Sequence, residues 1–190
     1  MGTYRGHKKS GIAVCARLAG FGLAGFGFAT LCSAPVQAAP ATSTSKAILL
    51  RPLSFFLVQD MNLGDIVPGP AGGTVRLFPN GTRTATGTIV LSGSSHQPAR
   101  FAGLGTPNEL ISISLAANSI PLNGPGAPMT LSLFEIGSTP TVILSTNPSF
   151  FRIGSVLGNY NFPVGGTLAV GTNQAPGTYV GTFTITLNYL

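Results

Sequence analysis

From residue 46 onward the chain is a succession of short runs in which apolar and polar residues alternate or β-branched residues cluster, each closed by Gly, Pro or Asn. Successive side chains of an extended strand point to opposite faces, so such runs read as strands with one buried and one wetted side. Turn signals recurring every eight to twelve residues or so are those of an antiparallel β-sandwich. The runs predict strands near residues 47–50, 53–58, 61–67, 74–78, 82–91, 99–104, 109–115, 129–135, 141–144, 160–170 and 177–189. No segment sustains a helical period, so the expected class is all-β. Pro79-Asn80-Gly81 separates two of the runs. Asn and Gly tolerate positive φ, which predicts a primed two-residue hairpin turn there. The sequon Asn80-Gly81-Thr82 reads as that turn rather than as a glycan acceptor.

The last segment is the most regular. Tyr179, Phe183, Ile185, Leu187 and Tyr189 fall on one face, and Thr182, Thr184, Thr186 and Asn188 on the other. A strand from Gly177 to Tyr189 with a core face and a wet face is expected. Its five large apolar groups would each contribute roughly 1.5 to 3 kcal/mol if fully buried.

The N-terminus has a different pattern. A basic stretch through Arg17 leads into 14 residues from Leu18 to Leu31 that are apolar but include four glycines, followed by Pro35-Val36-Gln37-Ala38-Ala39. A spanning helix needs about 20 apolar residues. A signal peptide needs fewer, with small residues before the cut. The expected division is therefore a signal peptide over residues 1–38, cleaved between Ala38 and Ala39, and a domain over residues 39–190, exported to the periplasm, cell surface or medium, with no membrane span after cleavage. A lipid anchor on Cys32 is disfavoured by the bulky Leu31 before it.

That division changes the composition. The whole chain carries +6, but Arg5, Lys8, Lys9 and Arg17 lie in the leader. Lys46, Arg51, Arg76, Arg83, Arg100 and Arg152 then face Asp60, Asp65, Glu109 and Glu135, a scattered +2. No nucleic-acid footprint is expected from so thin a charge. Cys15 and Cys32, the two cysteines, also leave with the leader, so stability is expected from packing and strand pairing without disulfides.

Candidate chemistry is sparse. Gly20-Phe-Gly22-Leu-Ala-Gly25 matches a dinucleotide fingerprint, but it lies in the leader and follows no strand. His96, in the loop from Ser92 to Pro98, has no carboxylate near it in sequence and reads as an exposed loop histidine rather than a catalytic base. Asp60 and Asp65, five residues apart, fall on opposite faces of a straight strand and read as turn and edge residues. Glu109 and Glu135 have no evident partner. Neither a calcium loop nor a zinc ligand set is present, so no metal, cofactor or catalytic residue is expected. With no Trp, 4 Tyr and 12 Phe, the aromatic content suits a core or protein contacts better than sugar stacking. Phe55-Phe56 and Phe150-Phe151 each place one ring on either face of a strand.

Asp60-Met-Asn-Leu-Gly-Asp-Ile-Val-Pro-Gly69, Gly72-Gly-Thr-Val75, Val164-Gly-Gly-Thr-Leu168 and Ala175-Pro-Gly-Thr-Tyr-Val-Gly-Thr-Phe-Thr-Ile-Thr-Leu-Asn-Tyr189 together resemble the bacterial exported family known as domain of unknown function 4402. That family implies no activity. The end of the chain is also similar to subunits of chaperone-usher pili and to spore coat U type proteins. Gly177 stands fourteen residues from the end and Tyr189 next to last, as in pilins. This second resemblance implies an incomplete immunoglobulin-like sandwich, fimbrial in type. A periplasmic chaperone would cover its strand edge until a like subunit, delivered to an usher, takes its place. Gly177, Tyr179, Phe183, Ile185, Leu187 and Tyr189 would form the assembly site. Residues 39–50 are polar to Lys46 and then continuously apolar from Ala47 to Leu50, which is not the alternation of a donor strand. The expected function is a non-catalytic pilus-like or surface-coat subunit. The alternative is a self-complete sandwich that binds glycan or envelope polymer through the loops at Ser92–Pro98 and Asn118–Pro128. A hydrolase using His96 is a third reading.

Overall fold

The computed structural model describes residues 41–138 and 140–190, so the expected leader and its cleavage residues Ala38 and Ala39 lie outside the described residues. Residues 41–45 carry no regular structure. Lys46–Leu190 forms a compact unit of its own. Its strands are β1 (Ser54–Gln59), β2 (Asp65–Val67), β3 (Gly73–Leu77), β4 (Arg83–Ala85), β5 (Val90–Ser92), β6 (Ala99–Leu104) and β7 (Leu110–Leu115). They continue as β8 (Ser119–Leu122), β9 (Met129–Ile136), β10 (Val142–Ile143), β11 (Ser149–Arg152), β12 (Asn159–Val170) and β13 (Ile185–Tyr189). The described residues contain no helix, and every pairing is antiparallel.

The strands form an eight-stranded sheet, a three-stranded sheet in the order β11-β7-β13, and the pair β2-β5. The long β12 organises the first. Val164 is paired with both Ala99 and Ile136, and Thr167 with both Arg76 and Ser132. Hence β6 and β3 follow one another along one edge of β12 while β9 takes the other. Pro163 is tolerated because its edge carries only a carbonyl bond, accepted from the Gly137 N–H at 3.1 Å, just beyond the reach of β9.

One core joins the two larger sheets. Phe101, Leu131, Phe134 and Leu168 of the large sheet and Ile111, Ile113, Leu115 and Ile185 of the small one are buried in a single cluster. This two-layer packing is consistent with a β-sandwich. Phe101 stacks on Phe55 and Phe162 at centroid distances of 5.2 and 5.7 Å. Phe55 is half-buried and Phe56 exposed, and Phe151 half-buried and Phe150 exposed, so each Phe-Phe pair does straddle its strand.

Several expected elements differ, each for a local reason. Residues 47–50 form no strand and are exposed. The run 61–67 is interrupted at Gly64, with φ of 74°, leaving an isolated bridge at Asn62 and the short β2. The run 82–91 is broken at Gly87, with φ of 73°. The hairpin joining β3 and β4 is present, but its turn is not the primed type. The Gly81 N–H reaches the Phe78 carbonyl at 2.9 Å, Pro79 and Asn80 occupy the centre, and only Gly81 has positive φ. The strands β8 and β11 are absent from the sequence reading. Pro121 argues against a strand, yet β8 pairs only with β9, and an edge strand tolerates proline.

Candidate functional site

The terminal segment keeps the alternation expected of it but not the ladder. Tyr179, Phe183, Leu187 and Tyr189 are half-buried against the core and Ile185 is buried, while Thr182, Thr184, Thr186 and Asn188 are exposed. Only Ile185–Tyr189 forms a strand, which corrects the expected strand of residues 177–189. The cause is the change of partner. Past Ala116 the chain turns into β8, which belongs to the large sheet, so among the described residues the only further backbone pairing is the bridge in which Val180 and Asn123 exchange bonds of 2.8 and 2.9 Å.

These bonds fix which way the backbone points. The Thr184 carbonyl accepts from Ala116, and the Leu190 N–H donates to Leu110. With Val180, this turns the backbone groups of the even-numbered residues toward β7 and β8. Those of Tyr179, Gly181, Phe183, Ile185, Leu187 and Tyr189 therefore face the other way. They have no hydrogen-bond partner among the described residues. The result is one unpaired backbone edge running from Tyr179 to Tyr189, in strand conformation from Ile185 onward.

A partly open slot of about 660 Å³ lies along the first half of this edge. Phe101, Leu131, Leu168 and Val170 of the large sheet form its floor. Asp60–Ile66 forms the opposite wall. That wall is held by reciprocal bonds of Asn62 and Gln97 and by Arg83, whose Nη1 reaches the Leu63 carbonyl at 2.5 Å and whose Nη2 reaches the Ser92 carbonyl at 2.9 Å. The wall carrying the free edge is pinned by Tyr179. Its hydroxyl donates to the Ala175 carbonyl at 2.9 Å and accepts from the Gly126 N–H at 3.0 Å and Gln174 Nε2 at 2.8 Å.

Gly177, singled out in the sequence, has φ of 142°, and a Cβ there would come within 2.5 Å of Pro125 Cγ. Only glycine fits, because the segment crosses Pro125 closely in a conformation other residues avoid. Gly181 has a similar role by proximity alone, since a Cβ would lie 2.4 Å from the Pro121 carbonyl oxygen. Tyr189 closes the far end. Its hydroxyl donates to the Arg51 carbonyl at 2.9 Å and accepts from the Thr106 N–H at 2.7 Å.

The titratable residues are dispersed. His96 is half-buried, not exposed as expected, and its Nδ1 is buried without a hydrogen-bond partner among the described residues. Asp60 and Asp65 both line the slot wall, Asp60 between strands and Asp65 as the first residue of β2. Glu109 lies in the turn before β7. Glu135 does have a partner, contrary to the sequence reading: Arg76 Nε and Nη2 each approach its carboxylate at 2.8 Å. That pairing holds the Arg76 pKa above its ordinary value, first through the hydrogen bond to the carboxylate. No group of three or more His, Cys, Asp or Glu that could hold a metal occurs among the described residues. Met61 and Leu63 lie in the Asp60–Gly69 stretch that carries the family resemblance, but nothing in the sequence sets them or Gln174 at a slot; the folding of the loops around Gly64 and Asn173 does so.

Fold and site together define an all-β, antiparallel domain with an unpaired strand edge beside an apolar slot. The chain belongs to the family described as a domain of unknown function (DUF4402), which matches residues 53–189. The match begins next to β1 and ends with β13. Comparison with curated proteins and with solved structures returned no match.

Proposed function

We propose that this is a non-catalytic, exported structural and interaction protein, a pilus-like or surface-coat subunit whose immunoglobulin-like sandwich is completed by strand addition. The observation that carries the reading is the unpaired edge from Tyr179 to Tyr189 beside the apolar slot. An added strand would find main-chain partners along the edge and could lay every second side chain on Phe101, Leu131 and Leu168. Left open, such an edge promotes aggregation, which is the reason a periplasmic chaperone would cover it before a like subunit, passed on by an usher, replaces it.

The segment ahead of β1 lacks the alternation of a donor strand, but it is the free apolar stretch that a neighbouring subunit could receive. Ile48, Leu49 and Leu50 are 69, 90 and 40% exposed and belong to no strand of their own chain. Three consecutive apolar residues kept in water gain by transfer into an apolar slot. The cleavable leader read in the sequence supports export.

Electron microscopy of sheared cell-surface material, from cells with and without the gene, tests this reading. Filaments or a coat that vanish on deletion are expected. Unchanged material, with a purified protein that stays monomeric and resists unfolding without chaperone or added peptide, would end it.

A further inference from the structure

On the opposite face of the large sheet from the slot lies a second recess, of about 340 Å³. The two faces are distinct because Leu168 floors the slot while its neighbour Thr167 lines the recess. At the base sits Glu135, only 2% exposed, locked in the bidentate pair with Arg76. Arg76 lies in turn over the Phe78 ring, 4.1 Å from its centroid. A guanidinium has five N–H donors. Glu135 engages two of the nitrogens, and Nη1 makes no hydrogen bond among the described residues.

Two exposed apolar side chains stand at the rim, Leu133 at 55% and Ile143 at 57% exposure. Leu133 has φ of 50°. It sits at a bulge where Leu133 and Phe134 together oppose Gly166, since Glu135 is paired with Gly165 and Ser132 with Thr167. A bulky residue in that conformation is strained, and here the strain places an apolar side chain in water beside a flat, immobilised polar pair. Strain of this kind concentrates at ligand sites. Threonine hydroxyls surround the pair, with Thr84 and Thr167 on either side of Arg76.

The chemistry excludes most ligands. The sheet backbone is paired on both sides of β3, β12 and β9 here, so no strand can add. The charge of Arg76 is matched by Glu135, which removes the attraction for a phosphate. The one carboxylate is already bound by guanidinium and cannot take a metal. What matches a rigid donor array, hydroxyls and a small apolar rim is an uncharged ring with hydroxyls on its edge and C–H groups on its face. The volume is at the low end of the roughly 300 to 1,000 Å³ of small-molecule sites, which suits a single ring.

We propose that the outer-face recess of Arg76, Glu135, Thr84 and Leu133 binds one neutral pyranose ring, either a free sugar or one residue of a glycan. The site is separate from the strand-addition slot and stands or falls independently of it.

The test is a titration of the purified, isotope-labelled protein, expressed from the full-length sequence, with glucose, galactose, mannose and N-acetylglucosamine at millimolar concentrations. Their β-linked and α-linked trimers are run in parallel. At least one neutral sugar is expected to shift the amide resonances of Arg76, Thr84 and Leu133. Tighter binding of a trimer identifies a polymer residue as the ligand, and equal binding a free sugar. Leu133→Gly should weaken binding about tenfold while its thermal midpoint holds or rises, because glycine takes this φ without strain. Thr84→Val should weaken binding with little effect on stability. The proposal is overturned by an absence of shifts with every neutral sugar, by shifts with glucuronate or inorganic sulfate alone, or by unaltered binding in Leu133→Gly.

Discussion

The hydroxyl of Tyr189 donates to the carbonyl of Arg51 across 138 residues of sequence, at 2.9 Å. The same oxygen accepts from the Thr106 N–H at 2.7 Å, so one phenol ties the last strand to the approach to β1 and to the loop before β7. Tyr189→Phe keeps the ring and leaves both backbone groups without this partner. A loss of about 1 to 3 kcal/mol is expected, read as a lower urea midpoint with an unchanged m-value. An unchanged midpoint would mean that water replaces the hydroxyl without penalty.

The two faces of β1 and β12 should differ sharply in sensitivity. Phe162 is 8% exposed and stacks on both Phe55 and Phe101. Truncation to Ala should cost about 3 to 5 kcal/mol. Phe56, 56% exposed, should cost no more than about 0.5 kcal/mol on the same change. Equilibrium unfolding of both variants checks the assignment, and comparable losses would refute it.

Alkaline pH should loosen the fold through Tyr160. Its pKa is pushed up to about 12 from an ordinary 10.0, mainly by burial and secondarily by the charge of Tyr189. The folded protein then retains a proton that the unfolded chain releases. The stabilisation is complete below pH 10 and is lost as pH rises through about 12. Tyrosinate absorbance should show a late-titrating group that disappears in Tyr160→Phe. That variant also loses the bond to the Ser54 carbonyl, so it should be less stable at neutral pH but show a shallower decline through the alkaline window.

Gly181→Val should lift the slot wall away from β8, because its Cβ meets the Pro121 carbonyl oxygen. Overpacking of this type costs about 1 to 3 kcal/mol. Hydrogen exchange at Val180 and Asn123, which bond only to each other there, should quicken more than exchange in β7. Equal acceleration in both places would indicate a global rather than a local effect.

Much of the large sheet is legible because its strands are short apolar runs closed by turn residues, and β6 alternates cleanly. Ala99–Leu104 matches the expected bounds, and β12 begins one residue before them. The terminal segment shows where a sequence stops short. Its alternation correctly places Tyr179, Phe183, Ile185, Leu187 and Tyr189 inward, since burial follows side-chain pattern. Whether a backbone edge finds a partner depends on another part of the chain, here the departure of β8 into the other sheet. Glu135 was unreadable for the same reason, because its partner Arg76 lies 59 residues away and is brought near only by β12. The glycines at 64 and 87 do carry a signal, as interruptions inside otherwise continuous runs, and both break the strands expected there.

The position of β12 also sets an order of events. It separates β6 and β3 from β9, and each of these precedes it in the chain. During synthesis from the N-terminus, local hairpins such as β3-β4 can close early, but the large sheet has no centre until Val170 has emerged. Such non-local pairing is slow and leaves strand edges exposed while it waits. Most of the large sheet must therefore stay unassembled until nearly the whole chain has been made, because its central strand is the second-last to appear.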